Sequence, residues 1–158
     1  MFKEYKNFFS LEKCNSLIDI FNEKVKHHVA YTDNTNPEAI PTANLRLKEG
    51  SPKLIKTLKK DFNITLNYGY IIHWSNGSFM KRHYDGVLNP ANKDNDFTSI
   101  CYLNDNFKGG RTLLGDERIE PEMGKVIVFN SKKIEHGVEE VIGDRFTYAS
   151  WWKKQPDA

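Results

Sequence analysis

Cysteine is scarce, long apolar runs are missing, and neither sign of charge dominates. The only two cysteines, Cys14 and Cys101, cannot build a disulfide framework. Each sits in an apolar-periodic segment, which predicts buried free thiols and a reducing compartment. No stretch approaches the ~20 apolar residues of a membrane span, and the opening Met-Phe-Lys-Glu-Tyr-Lys-Asn lacks the apolar run of a signal peptide. The formal net charge is +2, with Lys and Arg scattered among Asp and Glu, so no nucleic-acid or membrane partner is predicted. Internal repeats and low-complexity tracts are also missing. These absences predict a soluble cytoplasmic protein and, at 158 residues, one domain spanning 1–158. Such a chain buries about two thirds of the surface exposed when unfolded. The sequence carries no signature of oligomeric state.

What is present divides at about residue 63. Tyr5 to Phe9 reads as a short strand or extended entry, and Ser10 is a good N-cap for a helix from Leu11 to about Lys26, where Cys14, Leu17, Ile18, Phe21 and Val25 recur at helical spacing. Residues 31–44 carry turn chemistry and read as a loop, either a connector or a lid. Ser51-Pro52 starts a second helix that buries Leu54, Ile55, Leu58 and Phe62. From Ile64 onward short β-rich runs alternate with turns. Ile64–Trp74 is a strand, Asn76-Gly77 a hairpin signal, and Phe79–Asp85 its return. A loop at 86–97 precedes Thr98–Leu103, then Arg111–Leu114, Lys125–Phe129, His136–Ile142 and Arg145–Trp152, the last pair joined by Gly143-Asp144. Val126 to Phe129 is apolar on both faces and predicts a strand buried on both sides. The fold expected is mainly β with N-terminal helices, residues 1–63 giving helical support to a double-stranded β-helix (jelly roll, cupin-like) core over 64–152.

Within that core, His83 and Asp85 stand two apart, so on a strand they point the same way and can share one metal ion. His136 follows in Glu-His-Gly-Val, and Arg145 nine residues after it. Two imidazoles and one carboxylate on one face of an octahedral metal leave three positions open, the ligand set of non-haem Fe(II) oxygenases. A co-substrate that chelates the metal needs a separate anchor. Arg145 and Thr147, two apart on one strand, present a guanidinium and a hydroxyl to a distal carboxylate, and Tyr102 can add a third contact.

These residues resemble the Fe(II)/2-oxoglutarate-dependent dioxygenases, and among them the prolyl-4-hydroxylase-like group. The resemblance runs from about Tyr70 to Trp151 through His83-Tyr84-Asp85, Cys101-Tyr102-Leu103-Asn104, Phe107-Lys108-Gly109-Gly110, Gly124-Lys125-Val126-Ile127-Val128-Phe129, His136-Gly137-Val138 and Gly143-Asp144-Arg145-Phe146-Thr147. It implies that His83, Asp85 and His136 hold Fe(II), that Arg145 and Tyr102 hold the far carboxylate of 2-oxoglutarate, and that dioxygen is the second co-substrate. Thr147 resembles a serine or threonine found two after that arginine, and Trp151 an aromatic near the inner end of the same strand. Some prolyl hydroxylases, the collagen type included, use lysine where this chain has Arg145. At the position ten before His83, where several relatives carry a tyrosine facing the co-substrate, this chain has His73, readable as a rim or core histidine or as a co-substrate contact.

The implied activity is hydroxylation of a C–H bond while 2-oxoglutarate is converted to succinate and CO₂. The implied substrate is a prolyl or other residue in a peptide or protein, with a free amino acid or small metabolite as the alternative. A non-catalytic jelly-roll metal- or ligand-binding protein, and a zinc hydrolase on the same three ligands, are the competing classes. Neither explains a carboxylate anchor such as Arg145.

Overall fold

The computed structural model describes residues 2–33, 36–86 and 94–156. Helix α1 (Leu11–Glu23) starts where Ser10 accepts the Lys13 N–H at 3.1 Å, and it buries Cys14, Leu17 and Phe21. It ends before the expected Lys26, because Lys24 leaves helical geometry and Val25–His27 tightens into a 3₁₀ turn. Helix α2 (Pro52–Phe62) is capped by Ser51, which accepts from the Leu54 N–H, and it stops at Asn63 in the left-handed region with φ 54°.

The strands run in chain order as β1 (Phe2–Tyr5), β2 (Val29–Tyr31), β3 (Thr42–Leu47), β4 (Ile64–Trp74), β5 (Met80–His83), β6 (Phe97–Tyr102), β7 (Lys108–Gly109), β8 (Thr112–Leu114), β9 (Glu117–Ile119), β10 (Val126–Phe129), β11 (His136–Val138), β12 (Val141–Ile142) and β13 (Arg145–Lys154). Among the described residues they form a seven-stranded sheet in the order β1-β10-β6-β13-β4-β3-β2, a four-stranded sheet β5-β11-β8-β9, and the pair β12-β7. All pairings are antiparallel. The fold is mainly β with N-terminal helices, a jelly roll.

Three local expectations change. Residues 1–63 supply two helices, but also β1, β2 and β3, which extend both ends of the larger sheet. The segment read as a loop at 31–44 is therefore flanked by paired strands, with Tyr31 opposite Thr42. Its residues 34 and 35, like residues 87–93 of the loop expected at 86–97, lie outside the described set. Asn76-Gly77 does not close a hairpin: β4 and β5 belong to different sheets, and the Gly77 N–H donates to the Val141 carbonyl at 2.7 Å. Likewise β12 pairs with β7 rather than with β13. In both cases the turn residues are as expected, but partner choice is set by contacts distant in sequence.

The alternation of β4 and β13 divides the interior. Ile71 and Tyr148 point to one side, where they join Leu17, Phe21, Leu54 and Leu58 in the helix-covered core. Even-numbered residues of β4 from Tyr68 to Trp74, and odd-numbered residues of β13 from Arg145 to Trp151, face a cavity between the two sheets. β10 is buried on both faces as expected: Val126 and Val128 join the helix-side core, Ile127 and Phe129 a second cluster.

Candidate metal centre and its cavity

His83 ends β5 and sits directly opposite His136, the first residue of β11. The close approach needs Gly137: a Cβ there would lie 2.7 Å from the Met80 carbonyl oxygen. Asp85 follows in the turn after β5, buried, its N–H donating to the Ser131 carbonyl at 2.9 Å. Tyr84 between them is exposed, as alternation predicts. The Nε2 atoms of His83 and His136 stand 3.5 and 3.1 Å from Asp85 Oδ1, and the three side chains have ligand atoms all within 4.8 Å of one another. Cis ligands about 2.1 Å from an octahedral metal lie about 3 Å apart, so this spacing suits one small divalent ion.

The hydrogen positions argue the same way. His83 Nδ1 is 2.8 Å from the Lys81 carbonyl and His136 Nδ1 is 2.9 Å from the Ile134 carbonyl. Carbonyls only accept, so each Nδ1 carries its proton, and in the neutral rings both Nε2 lone pairs face the carboxylate. With a divalent ion bound, three acceptors converge on one point; in its absence the imidazoles are hydrogen-bond donors to Asp85. Burial opposes ionisation of Asp85, but the His136 and His83 contacts outweigh it and hold the carboxyl well below the ordinary carboxylate range. Asp85 Oδ2 is held separately, by the Thr98 hydroxyl at 3.2 Å and the Trp151 indole N–H at 3.3 Å. Oδ1 alone is thereby presented to the histidines.

Arg145 lies fully buried at the back of the cavity. Its Nε donates to the Gly110 carbonyl at 2.9 Å and an Nη to the Thr112 hydroxyl at 3.1 Å, while the guanidinium carbon lies 5.1 Å from the Trp74 ring and 5.5 Å from that of Tyr102. Burial pulls its pKa down from the ordinary value, with Tyr102 opposing that shift. Among the described residues no carboxylate lies within ion-pair distance of it. Thr147 is buried on the same face of β13 and also lines the cavity. Tyr102 lies behind Arg145, and its hydroxyl bonds that of Thr112. Burial raises the Tyr102 pKa, so the phenol stays neutral.

The structure thus brings His83, Asp85 and His136 together, and places Arg145, Thr147 and Trp151 on one wall beside them. His73 is elsewhere, on the helix face of β4, stacked on Phe146 at 4.5 Å with Nε2 2.8 Å from Asp144 Oδ1. The cavity position belongs to its neighbour Trp74, whose indole N–H is buried with no hydrogen-bond partner. Trp74 and Thr112 were not singled out from the sequence. The even-position run Tyr68, Tyr70, Ile72, Trp74 was the available signal for the first, and nothing local marked the second. The buried Arg145 cation, with no carboxylate partner among the described residues, fits the carboxylate of a co-substrate.

The cavity measures about 460 Å³. Away from Arg145 its wall is aromatic: Tyr68 stacks on Trp151 at 5.3 Å, and Tyr70 meets both edge-on. Asn95 fixes this wall by donating to the Tyr68 hydroxyl at 2.7 Å. No helix among the described residues is long and apolar enough to cross a membrane.

The family model described as the 2OG-Fe(II) oxygenase superfamily matches residues 67–153, more than half of the chain. No curated protein matches the sequence. Among solved structures, the viral collagen prolyl hydroxylase of Paramecium Bursaria Chlorella virus-1 in its 2OG complex superposes with a TM-score of 0.75 at 17% identity, over 98% of this chain and 96% of that one. A Pseudomonas putida prolyl-4-hydroxylase gives 0.73 at 16% identity, over 98% and 93%. HygX from Streptomyces hygroscopicus, with nickel, 2-oxoglutarate and hygromycin B bound, gives 0.66 at 12%, over 98% and 83%. All three share this fold.

Proposed function

The chain belongs to the 2OG-Fe(II) oxygenase superfamily, and from that premise we propose that it hydroxylates a C–H bond of a prolyl or other residue in a peptide or protein. It is a dioxygenase whose cofactor is Fe(II) and whose co-substrates are 2-oxoglutarate and dioxygen. Bound at this site, Fe(II) with both co-substrates supplies the oxidant that hydroxylates an unactivated C–H bond, with release of succinate and CO₂.

The chain's own residues divide the remaining work. His83, Asp85 and His136 would hold the metal through Nε2, Oδ1 and Nε2. Arg145 takes the far carboxylate of 2-oxoglutarate, with the Trp74 N–H and the Thr147 hydroxyl beside it. Tyr102 acts through Thr112, which orients the guanidinium. Trp151 fixes Asp85. The observation that carries this reading is a fully buried arginine with no carboxylate partner among the described residues, in one cavity with three converging metal-ligand atoms. Residues 1–63 support the 64–152 core in a single oxygenase domain over 1–158. The buried free thiols Cys14 and Cys101 support a reducing, cytoplasmic setting.

A peptide substrate is supported by the prolyl hydroxylases among the similar structures and by the aromatic wall of Tyr68, Tyr70 and Trp151, whose flat faces suit a pyrrolidine ring. A free amino acid or small metabolite is the second reading, supported by HygX, which carries hygromycin B on the same fold.

The test is an anaerobic titration with Fe(II) and 2-oxoglutarate, following the visible charge-transfer band. Wild type is expected to show the band, His83→Ala to lose it, and Arg145→Ala to need far more 2-oxoglutarate. No band under any condition would return the protein to the binding-module class. Succinate formation stimulated by proline-containing peptides but not by free amino acids then separates the two substrate readings.

A further inference from the structure

An exposed arginine at the cavity rim is left unused by the metal and 2-oxoglutarate. Arg46 lies on β3 at the cavity rim, opposite Tyr70 of β4, with its guanidinium carbon 5.7 Å from the centre of the Tyr68 ring. Arg145 pairs across β13 with Trp74 and lies over that ring. Tyr68 and Trp74 are six residues apart on one strand face, about 20 Å at about 3.3 Å per residue. The two guanidiniums therefore serve opposite ends of the cavity, and 2-oxoglutarate held by Arg145 cannot reach Arg46.

Charge makes the second arginine informative. The only carboxylate among the described lining residues is Asp85, which faces the histidines. Among the described residues no ion pair or hydrogen bond engages the Arg46 guanidinium, and its one close partner is the Tyr68 ring. Two residues along β3 on the same face, Asn44 accepts the Thr42 hydroxyl at Oδ1, at 2.8 Å, which leaves its amide N–H₂ group as a donor. A guanidinium and an amide donor side by side, next to an aromatic wall that ends at the metal ligand Asp85, form an anion-reading edge.

We propose that Arg46, with Asn44, binds a carboxylate of the substrate, so that the substrate is read by its negative charge as well as by its ring. The carboxylate is either the α-carboxylate of a free amino acid or an acidic side chain beside the target residue of a peptide. This inference rests on the oxygenase reading of the same cavity.

The experiment loads the protein with Mn(II), a redox-silent stand-in for Fe(II), and 2-oxoglutarate. Binding of two matched probe pairs is then measured calorimetrically: L-proline against L-prolinamide, and a capped Glu-Pro-Gly peptide against capped Gln-Pro-Gly. The carboxylate member of one pair is expected to bind about tenfold or more tightly than its neutral partner. Which pair responds identifies the source of the carboxylate. Arg46→Gln is expected to abolish the preference and Arg46→Glu to reverse it, in variants whose thermal melting shows a native fold. Equal binding of both members, no binding by any probe, or a preference that survives Arg46→Gln overturns the inference while leaving the oxygenase reading intact. Failure of Mn(II) and 2-oxoglutarate to load the wild type overturns the oxygenase reading, and this inference with it.

Discussion

Asp85 offers its two oxygens to different partners, and that division predicts which neighbours tune the metal. Oδ2 is occupied by Thr98 and by the Trp151 N–H, so Oδ1 meets the imidazoles in a fixed orientation. Thr98→Val and Trp151→Phe each keep the bulk and delete one donor. Each is expected to weaken Mn(II) binding about tenfold or more, measured by competition with a metal-sensing dye. Unchanged affinity in both would mean that Asp85 is positioned by its own backbone. Trp74 makes a second case, because its buried indole N–H has no hydrogen-bond partner among the described residues. Trp74→Phe is expected to keep the native fold and to weaken 2-oxoglutarate about tenfold. Unchanged affinity would exclude Trp74 as a carboxylate donor.

At the scale of elements, supporting and binding roles separate. Leu58 lies on the buried face of α2 and belongs to the helix-side core. Leu58→Ala is expected to cost about 2–5 kcal/mol in denaturant unfolding with metal and 2-oxoglutarate affinities retained. Gly110 has φ +62°, and a Cβ on it would meet Phe107 at 2.9 Å and Arg145 Cδ at 3.1 Å. Gly110→Ala is expected to destabilise by about 1–2 kcal/mol from the left-handed backbone alone. It is also expected to weaken 2-oxoglutarate, because the Arg145 side chain it crowds is the proposed anchor. The same two regions show what sequence could tell. Caps at Ser10 and Ser51, helical periodicity and the two-sided apolar run of β10 are local signals, and each led to the observed element. The His83, Asp85, His136 and Arg145 grouping was legible because period-two alternation and a recurring motif order both constrain it. The sheet assignments of β5 and β12 were not, since a turn sequence specifies a reversal but not which strand lies alongside. His73 and Trp74 differ by one register step, which exchanges the helix core for the cavity.

Across the whole molecule, the site ties the two sheets together. His83 and His136 stand on the smaller sheet, while Thr98, Arg145 and Trp151 stand on the larger, and Asp85 contacts both groups. Ligands that bridge these walls bind the folded chain and not the unfolded one, so they stabilise it by mass action. Mn(II) at a hundred times its dissociation constant adds about 2.7 kcal/mol, which for a chain of this length raises the melting temperature by about 5–10 °C. 2-Oxoglutarate is expected to add a further rise when Mn(II) is present and a much smaller one in its absence, because chelation and the Arg145 contact form together only on the loaded site. Addition of a metal chelator should return the melting curve to that of the apoprotein, and His83→Ala should show little metal-dependent shift. If 2-oxoglutarate stabilises His83→Ala as strongly as it does the metal-loaded wild type, its carboxylates are held by the cavity alone, and the coupling between the two sheets through the metal is absent.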